Sequence, residues 1–516
     1  MSRHACTSSS PFLTLVTVAL ALGGSAAQAA IYTVGNGAGC NYTSIAAALA
    51  ASAAHPEDNA DAIHLASNMD YTQQAITITA GKFLEIDGGF ANCAQTQADG
   101  SHVVIDGAGG SANPVFRITL STHGRVELYN LTIQGGDPEG SGRGGGIYFK
   151  GSGDGSLRIS HCEVTNNTAG YGGGIYAEGV GTGSGGILGI GPQVAIVGNT
   201  ARFDGGGIVT DGTFLSMTED DSYIANNHAP NGYGGGLLVL AGTQHTLAQL
   251  RGTGLGNLGL IYLNNASRGG GIAVMGSDTV AQLNLSSSDP TRPARIKGNS
   301  ASLDGGGIYL GRAGGAVGQS TLFADNVSIE DNVAPHGAAI SVRESAGADA
   351  GVFFNKPDQG SSICPAGKPC ASISGNAAID NASELVGGVV EASSDASVSF
   401  NRTAFEGNIG KFVYFGSIRT TFNTNHVAIT GNTLSGNLIA ADNEGDSVDL
   451  ENTTIADNSI GNFPVLRLRS SQSSPSKLYR SIIWQPFKTT LHLIGDSLDV
   501  IDDLVSEGTS VDGDNS

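Results

Sequence analysis

Asn166-Asn167-Thr168-Ala169-Gly170-Tyr171-Gly172-Gly173-Gly174-Ile175 is the stretch whose reading decides the fold. It joins an Asn corner to a glycine triplet that leads into an aliphatic residue. The pair returns at Asn199 with Gly205-Gly206-Gly207-Ile208, and at Asn226-Asn227 with Gly234-Gly235-Gly236-Leu237. It returns again at Asn264-Asn265 with Gly269-Gly270-Gly271-Ile272, and at Asn299 with Gly305-Gly306-Gly307-Ile308. A worn copy follows, Asn332 with Gly337-Ala338-Ala339-Ile340. Asn tolerates the left-handed backbone region and bonds locally, so it suits a corner. The glycines permit a positive φ where a side chain would clash.

An apolar residue three places before an Asn marks each corner. This assigns structural roles to Asn167, Asn199, Asn227, Asn265, Asn299, Asn332, Asn376, Asn408, Asn432 and Asn458. Most intervals are roughly 30 residues, inside the range of stacked repeats. One unit cannot bury its own apolar face, but stacked units enclose a continuous core. The alternating pairs Ile76/Ile78, Val126/Leu128 and Leu157/Ile159 would point inward. Short strands, glycine corners and uneven repeat lengths predict an all-β chain, a right-handed parallel β-helix. No fixed leucine consensus supports a leucine-rich repeat, and the repeat is too irregular for a propeller.

Outward from the repeats, the ends differ. Residues 1–29 hold a short apolar run, Phe12 to Leu22, and a small-residue site at Ala27-Gln28-Ala29, which reads as a secretory signal peptide. Residues 30–100 read as an N-terminal cap and first coils, with Thr43 or Ser44 capping an alanine-rich helix that runs to about Ala54. Residues 101–480 are the β-helix repeats, and 481–516 a C-terminal cap and frayed tail. The alternating strands of a membrane barrel are not read near residue 516, so no transmembrane segment is expected in the mature chain. Cys40 is expected to pair with Cys93 and Cys364 with Cys370, as suits an oxidising compartment, leaving Cys162 as a buried core thiol. With 78 glycines and a net charge of −21, the composition suits a long exported β-structure and argues against nucleic acid as a partner.

The Gly-Gly-Gly-Ile phrase with its apolar-x-x-Asn corner resembles the repeat of polymorphic outer-membrane proteins. Phe405-Glu406-Gly407-Asn408 matches that family's Phe-x-x-Asn form. More broadly, residues 31–480 are similar to parallel β-helix proteins of the pectin-lyase-like group. The opening Cys40-Asn41-Tyr42-Thr43-Ser44-Ile45 is similar to the caps of secreted bacterial members. The resemblance implies the fold and a cell-surface or extracellular location. It leaves activity open, because this fold carries lyases, hydrolases and adhesins.

Chemistry is thinly signalled. Asp220-Asp221 with Arg295-Ile296-Lys297 faintly matches a glycoside hydrolase, but Ile296 belongs to an ordinary corner and places its neighbours on the surface. His161-Cys162-Glu163 lacks the C-x-x-C pair of a zinc deaminase. Arg143, Arg202 and Arg268 precede glycine triplets and are read as a row that could meet an acidic glycan. Asp204 and Asp304 hold the place before two triplets, and calcium there is the one cofactor the sequence raises; no resident metal is otherwise expected. The reading is therefore a secreted or surface β-helix acting by contact with a polysaccharide or surface protein, without catalysis. The alternative is a polysaccharide lyase or glycoside hydrolase acting on an acidic polymer in a lateral groove. Carboxylates and a basic residue converging in one groove would favour that alternative.

Overall fold

The computed structural model describes residues 30–514 apart from 56–59, 109–112, 255–257, 314–317, 344–350, 356–369, 471–474, 506–510 and some single or paired positions. The signal-peptide reading of residues 1–29 lies outside the described residues.

Each coil carries up to four short strands, and one coil stands for the rest. Thr200–Ala201 follows the Asn corner, Ile208–Asp211 follows the glycine triplet, and Phe214–Met217 and Tyr223–Ala225 complete the turn. We call these the corner, front, back and lateral strands. Each pairs in parallel with its counterpart in the next coil. The lateral strands form a 14-stranded sheet and the corner strands a 10-stranded one. Front and back strands merge into one 29-stranded network, since Ile147–Ser160 and Ile175–Ile190 run through both. At about 4.8 Å per rung the stack is roughly 60 Å long. This is the all-β parallel β-helix the repeats predict. Pairing runs on past the repeats, through Ile482–Trp484 and Leu491–Gly495.

The interior is one apolar column, to which Ile76, Ile78, Val126, Leu128, Leu157 and Ile159 all contribute. Beside it runs a ladder of amides. Asn199 Nδ2 donates to Asn227 Oδ1 at 3.0 Å and to the Val164 carbonyl at 2.8 Å. The backbone N–H of Asn199 donates to the same Asn227 oxygen. The pattern repeats from Asn167 down to Asn458, whose N–H ends on Gln485 Oε1. Each buried amide is thereby satisfied, as a dry interior requires. The residue before the ladder Asn is left-handed, at Asn166, Gly198, Asn226 and Gly298 among others.

One corner departs from the sequence reading. Asn264, not Asn265, is the rung: its Nδ2 donates to Asn299 Oδ1, and it accepts from Asn227. Register explains this. Ile261, not Tyr262, aligns with the inward Ile224 and Ile296, so the Asn three places on is Asn264. Leu263 then takes the left-handed position, with φ 55°. Asn265 begins the corner strand and donates to Ser300 Oγ.

The cap helix spans Ile45–Ala54, and the Ser44 hydroxyl accepts from the Ala47 N–H at 3.2 Å. Beneath it the buried Asp61 carboxylate is held by Lys82, Ser52 and His55, at 2.7, 2.6 and 2.9 Å. Burial opposes that charge, and the bonds from Lys82 and Ser52 overcome it, so the Asp61 pKa falls. Cys40 and Cys93 form the expected disulfide. Cys370 is disulfide-bonded, while its expected partner Cys364 lies outside the described residues. Cys162 is a free, buried thiol.

Candidate functional site

The glycine triplet shapes an outer surface region where aromatic, basic and acidic side chains gather over several successive coils. Its first glycine has φ between 55° and 69° in the coils from Gly144 to Gly337. A Cβ on Gly205 would sit 2.1 Å from Val209 Cγ2. The turn therefore folds back over the front strand and buries its outward residues. The middle glycine meets the next coil: a Cβ on Gly270 would lie 2.2 Å from the Ser300 carbonyl oxygen.

This folding lines up a stripe of side chains along the rod, which we call the front groove. One wall is the residue before each triplet, and these stack in register: Arg143, Tyr171, Asp204, Tyr233, Arg268, Asp304, then His336. The floor is the outward position of the front strand, where Tyr148, Tyr176, Val209, Leu238, Ala273 and Tyr309 form a second apolar cluster, separate from the core. The far wall carries Lys150, Glu178 and Asp211 on neighbouring strands, with Arg343 further along.

Charges and rings interlock across the groove. The Arg117 guanidinium lies 4.8 Å from the Tyr148 ring, and that of Arg143 lies 4.8 Å from Tyr176. Arg143 also reaches Glu178 Oε2 at 2.9 Å, which accepts from the Tyr148 hydroxyl at 2.6 Å. Burial raises the Tyr148 pKa to about 12, so the phenol stays a donor. Burial likewise raises the carboxyl pKa of Asp204 and of Asp211; the latter accepts from the Tyr176 hydroxyl. Tyr171 stacks with the exposed Phe203, ring centres 5.2 Å apart.

Further along, the groove holds a chain of ion pairs. Arg268 Nε meets Asp304 Oδ2 at 3.0 Å, and Arg343 bridges Asp304 Oδ1 at 2.9 Å to Glu391 Oε2 at 2.8 Å. His336 Nδ1 meets Glu391 Oε1 at 3.1 Å, and this bond raises the imidazole pKa above its ordinary value. Glu391 also accepts from the Gly388 N–H. The Ser341 hydroxyl lies buried on the same floor, in register between Tyr309 and Glu391.

The structure places two of the three arginines of the sequence row in one column. Arg143 and Arg268 share one column, but Arg202 stands two places earlier in its turn and pairs outward with Asp137 at 2.5 Å. Asp204 occupies the register position instead, accepting from the Tyr233 N–H at 2.9 Å. Asp304 is gripped by two guanidiniums. Among the described residues no cluster of three or more His, Cys, Asp or Glu has metal-binding form. Arg295 and Lys297 face Glu330 on the lateral sheet, as their corner position implies. The sequence reading missed the tyrosines, His336, Arg343 and Glu391. The wall residues carried a signal: the position before the triplet is aromatic, basic, acidic or His in all seven coils from Arg143 to His336.

With this geometry in place, residues 161–178 match the family model of the Chlamydia polymorphic membrane protein repeat. That stretch runs from the lateral strand, through an Asn corner and its triplet, to the front strand that carries Tyr176 and Glu178. No curated protein matches the chain. No helix among the described residues is long and apolar enough to cross a membrane.

Proposed function

We propose that the protein is an exported, cell-surface-associated rod that holds a polysaccharide strand lengthwise in the front groove. The observation that carries this is one stripe in which the exposed Phe203, stacked with Tyr171, lies between two places where a ring meets a guanidinium–carboxylate pair: Tyr176 at Arg143–Glu178 and Tyr233 at Arg268–Asp304. Aromatic faces stack on sugar rings, while fixed polar pairs bond hydroxyls, and one strand spanning several coils engages more than one such place. The match to a membrane-protein repeat supports the surface location, and the reading of residues 1–29 as a signal peptide supports export. Electrophoresis of the purified protein through native gels cast with single polysaccharides tests this. Retardation by at least one, lost in Tyr171→Ala combined with Phe203→Ala, is expected. Unretarded migration in every gel would sink the reading.

A second reading, cleavage of the held strand, is favoured by one place. Asp304, Glu391, Arg343 and His336 converge there, with the imidazole Nδ1 fixed by Glu391 and its other nitrogen turned from that bond. Release of reducing or unsaturated ends by the wild type and not by His336→Ala would support it. Retardation without any released ends would leave binding alone.

A further inference from the structure

We infer that the strand held in the groove is uncharged and rich in hydroxyls, not an acidic polymer. This rests on the binding reading above and names its substrate class. Along the groove, Arg117, Arg143, Lys150, Arg268 and Arg343 stand against Glu178, Asp204, Asp211, Asp304 and Glu391, His336 adds charge only when protonated and is then paired with Glu391, and all are engaged with one another or with tyrosines. The groove therefore offers no surplus of positive charge to an acidic sugar among the described residues.

A sugar carboxylate drawn to the remaining N–H groups of Arg343 would lie beside Asp304 and Glu391, which already neutralise that guanidinium and would repel a further anion. The surrounding field opposes the same ligand, since the chain carries a net −21. Hydroxyls meet no such repulsion. Paired guanidiniums and carboxylates keep unused N–H donors and oxygen lone pairs, and phenols add a group that does both. The part-exposed rings of Tyr171, Phe203 and Tyr233 supply flat apolar faces between them.

The test uses the full-length mature protein in affinity gels and in titrations at low and high salt. The probes are soluble β-1,3-glucan, soluble β-1,4-glucan and mannan, against alginate and polygalacturonate. The expected result is retention by at least one neutral polymer, with Kd changing less than about twofold between 20 and 500 mM salt, because screening acts on net charge. Tighter binding of alginate or polygalacturonate, weakening about tenfold or more over that salt range, would overturn the inference while leaving the groove reading intact. Binding of neither class would overturn both. The Tyr171→Ala, Phe203→Ala variant, checked for an unchanged melting curve, must lose the neutral-polymer retention. If it retains wild-type affinity, the neutral ligand binds elsewhere and the inference fails.

Discussion

Asn264 and Asn265 are adjacent and chemically identical, yet only Asn264 belongs to the buried ladder. Removing its amide strands the Asn227 N–H and one Asn227 Nδ2–H and takes the side-chain donor from the Ile224 carbonyl, all in the interior. Asn264→Ala should cost about 3 kcal/mol, since each orphaned buried group costs ~1–3 kcal/mol. Asn265→Ala should stay within about 0.5 kcal/mol, as for most partly exposed positions. Urea unfolding midpoints compare the two, and equal losses would contradict the register. The ladder's existence was legible from spacing, but this rung was not, because Ile261 and Tyr262 are both apolar three places before an Asn. Inward parity, which decides between them, is a property of the neighbouring coils. Cys162 makes a second case at this scale. Burial raises its thiol pKa to about 12, so it should resist alkylation at pH 8 until the chain unfolds. Rapid labelling of the folded protein would contradict its placement.

At the scale of the element, the turn through the glycine triplet decides both packing and site. Gly270→Ala drives a Cβ toward the Ser300 carbonyl of the next coil and should destabilise by ~1–3 kcal/mol, measured by the same unfolding assay. The turn itself was readable from the phrase. The groove beneath it was not, because folding back buries outward residues that strand alternation alone would leave in solvent. His336 and Glu391 lie 55 residues apart, so their pairing appears only when coils stack. Their bond has a pH signature. The native imidazole pKa is raised by Glu391, so its contribution is complete below the ordinary value near ~6.5 and is lost as pH rises through the elevated native value. His336→Gln should therefore lower the unfolding midpoint more at about pH 6 than at about pH 9. A pH-independent difference would argue against the ion pair.

At the scale of the molecule, a stack of coils is held by neighbours and closed by its cap. Stability is then local, summed over coils and their interfaces. The Cys40–Cys93 bridge, spanning 53 residues, ties the first strands to the cap region. Serine at both positions should cost about 2–4 kcal/mol, expressed in the N-terminal coils. The rod and its cap were legible because glycine, Asn and cysteine placements are local signals. The groove was legible only as scattered Arg and Asp residues, since its tyrosines read as ordinary strand formers. Whether that groove is the contact surface is settled most directly by hydroxyl-radical footprinting, with and without the neutral polysaccharide that retains the protein. The account predicts that Tyr171, Phe203, Tyr233 and His336 become protected, while Tyr223 and Trp484 on the lateral sheet oxidise as before. Protection of the lateral-sheet residues with the groove residues unchanged would contradict it.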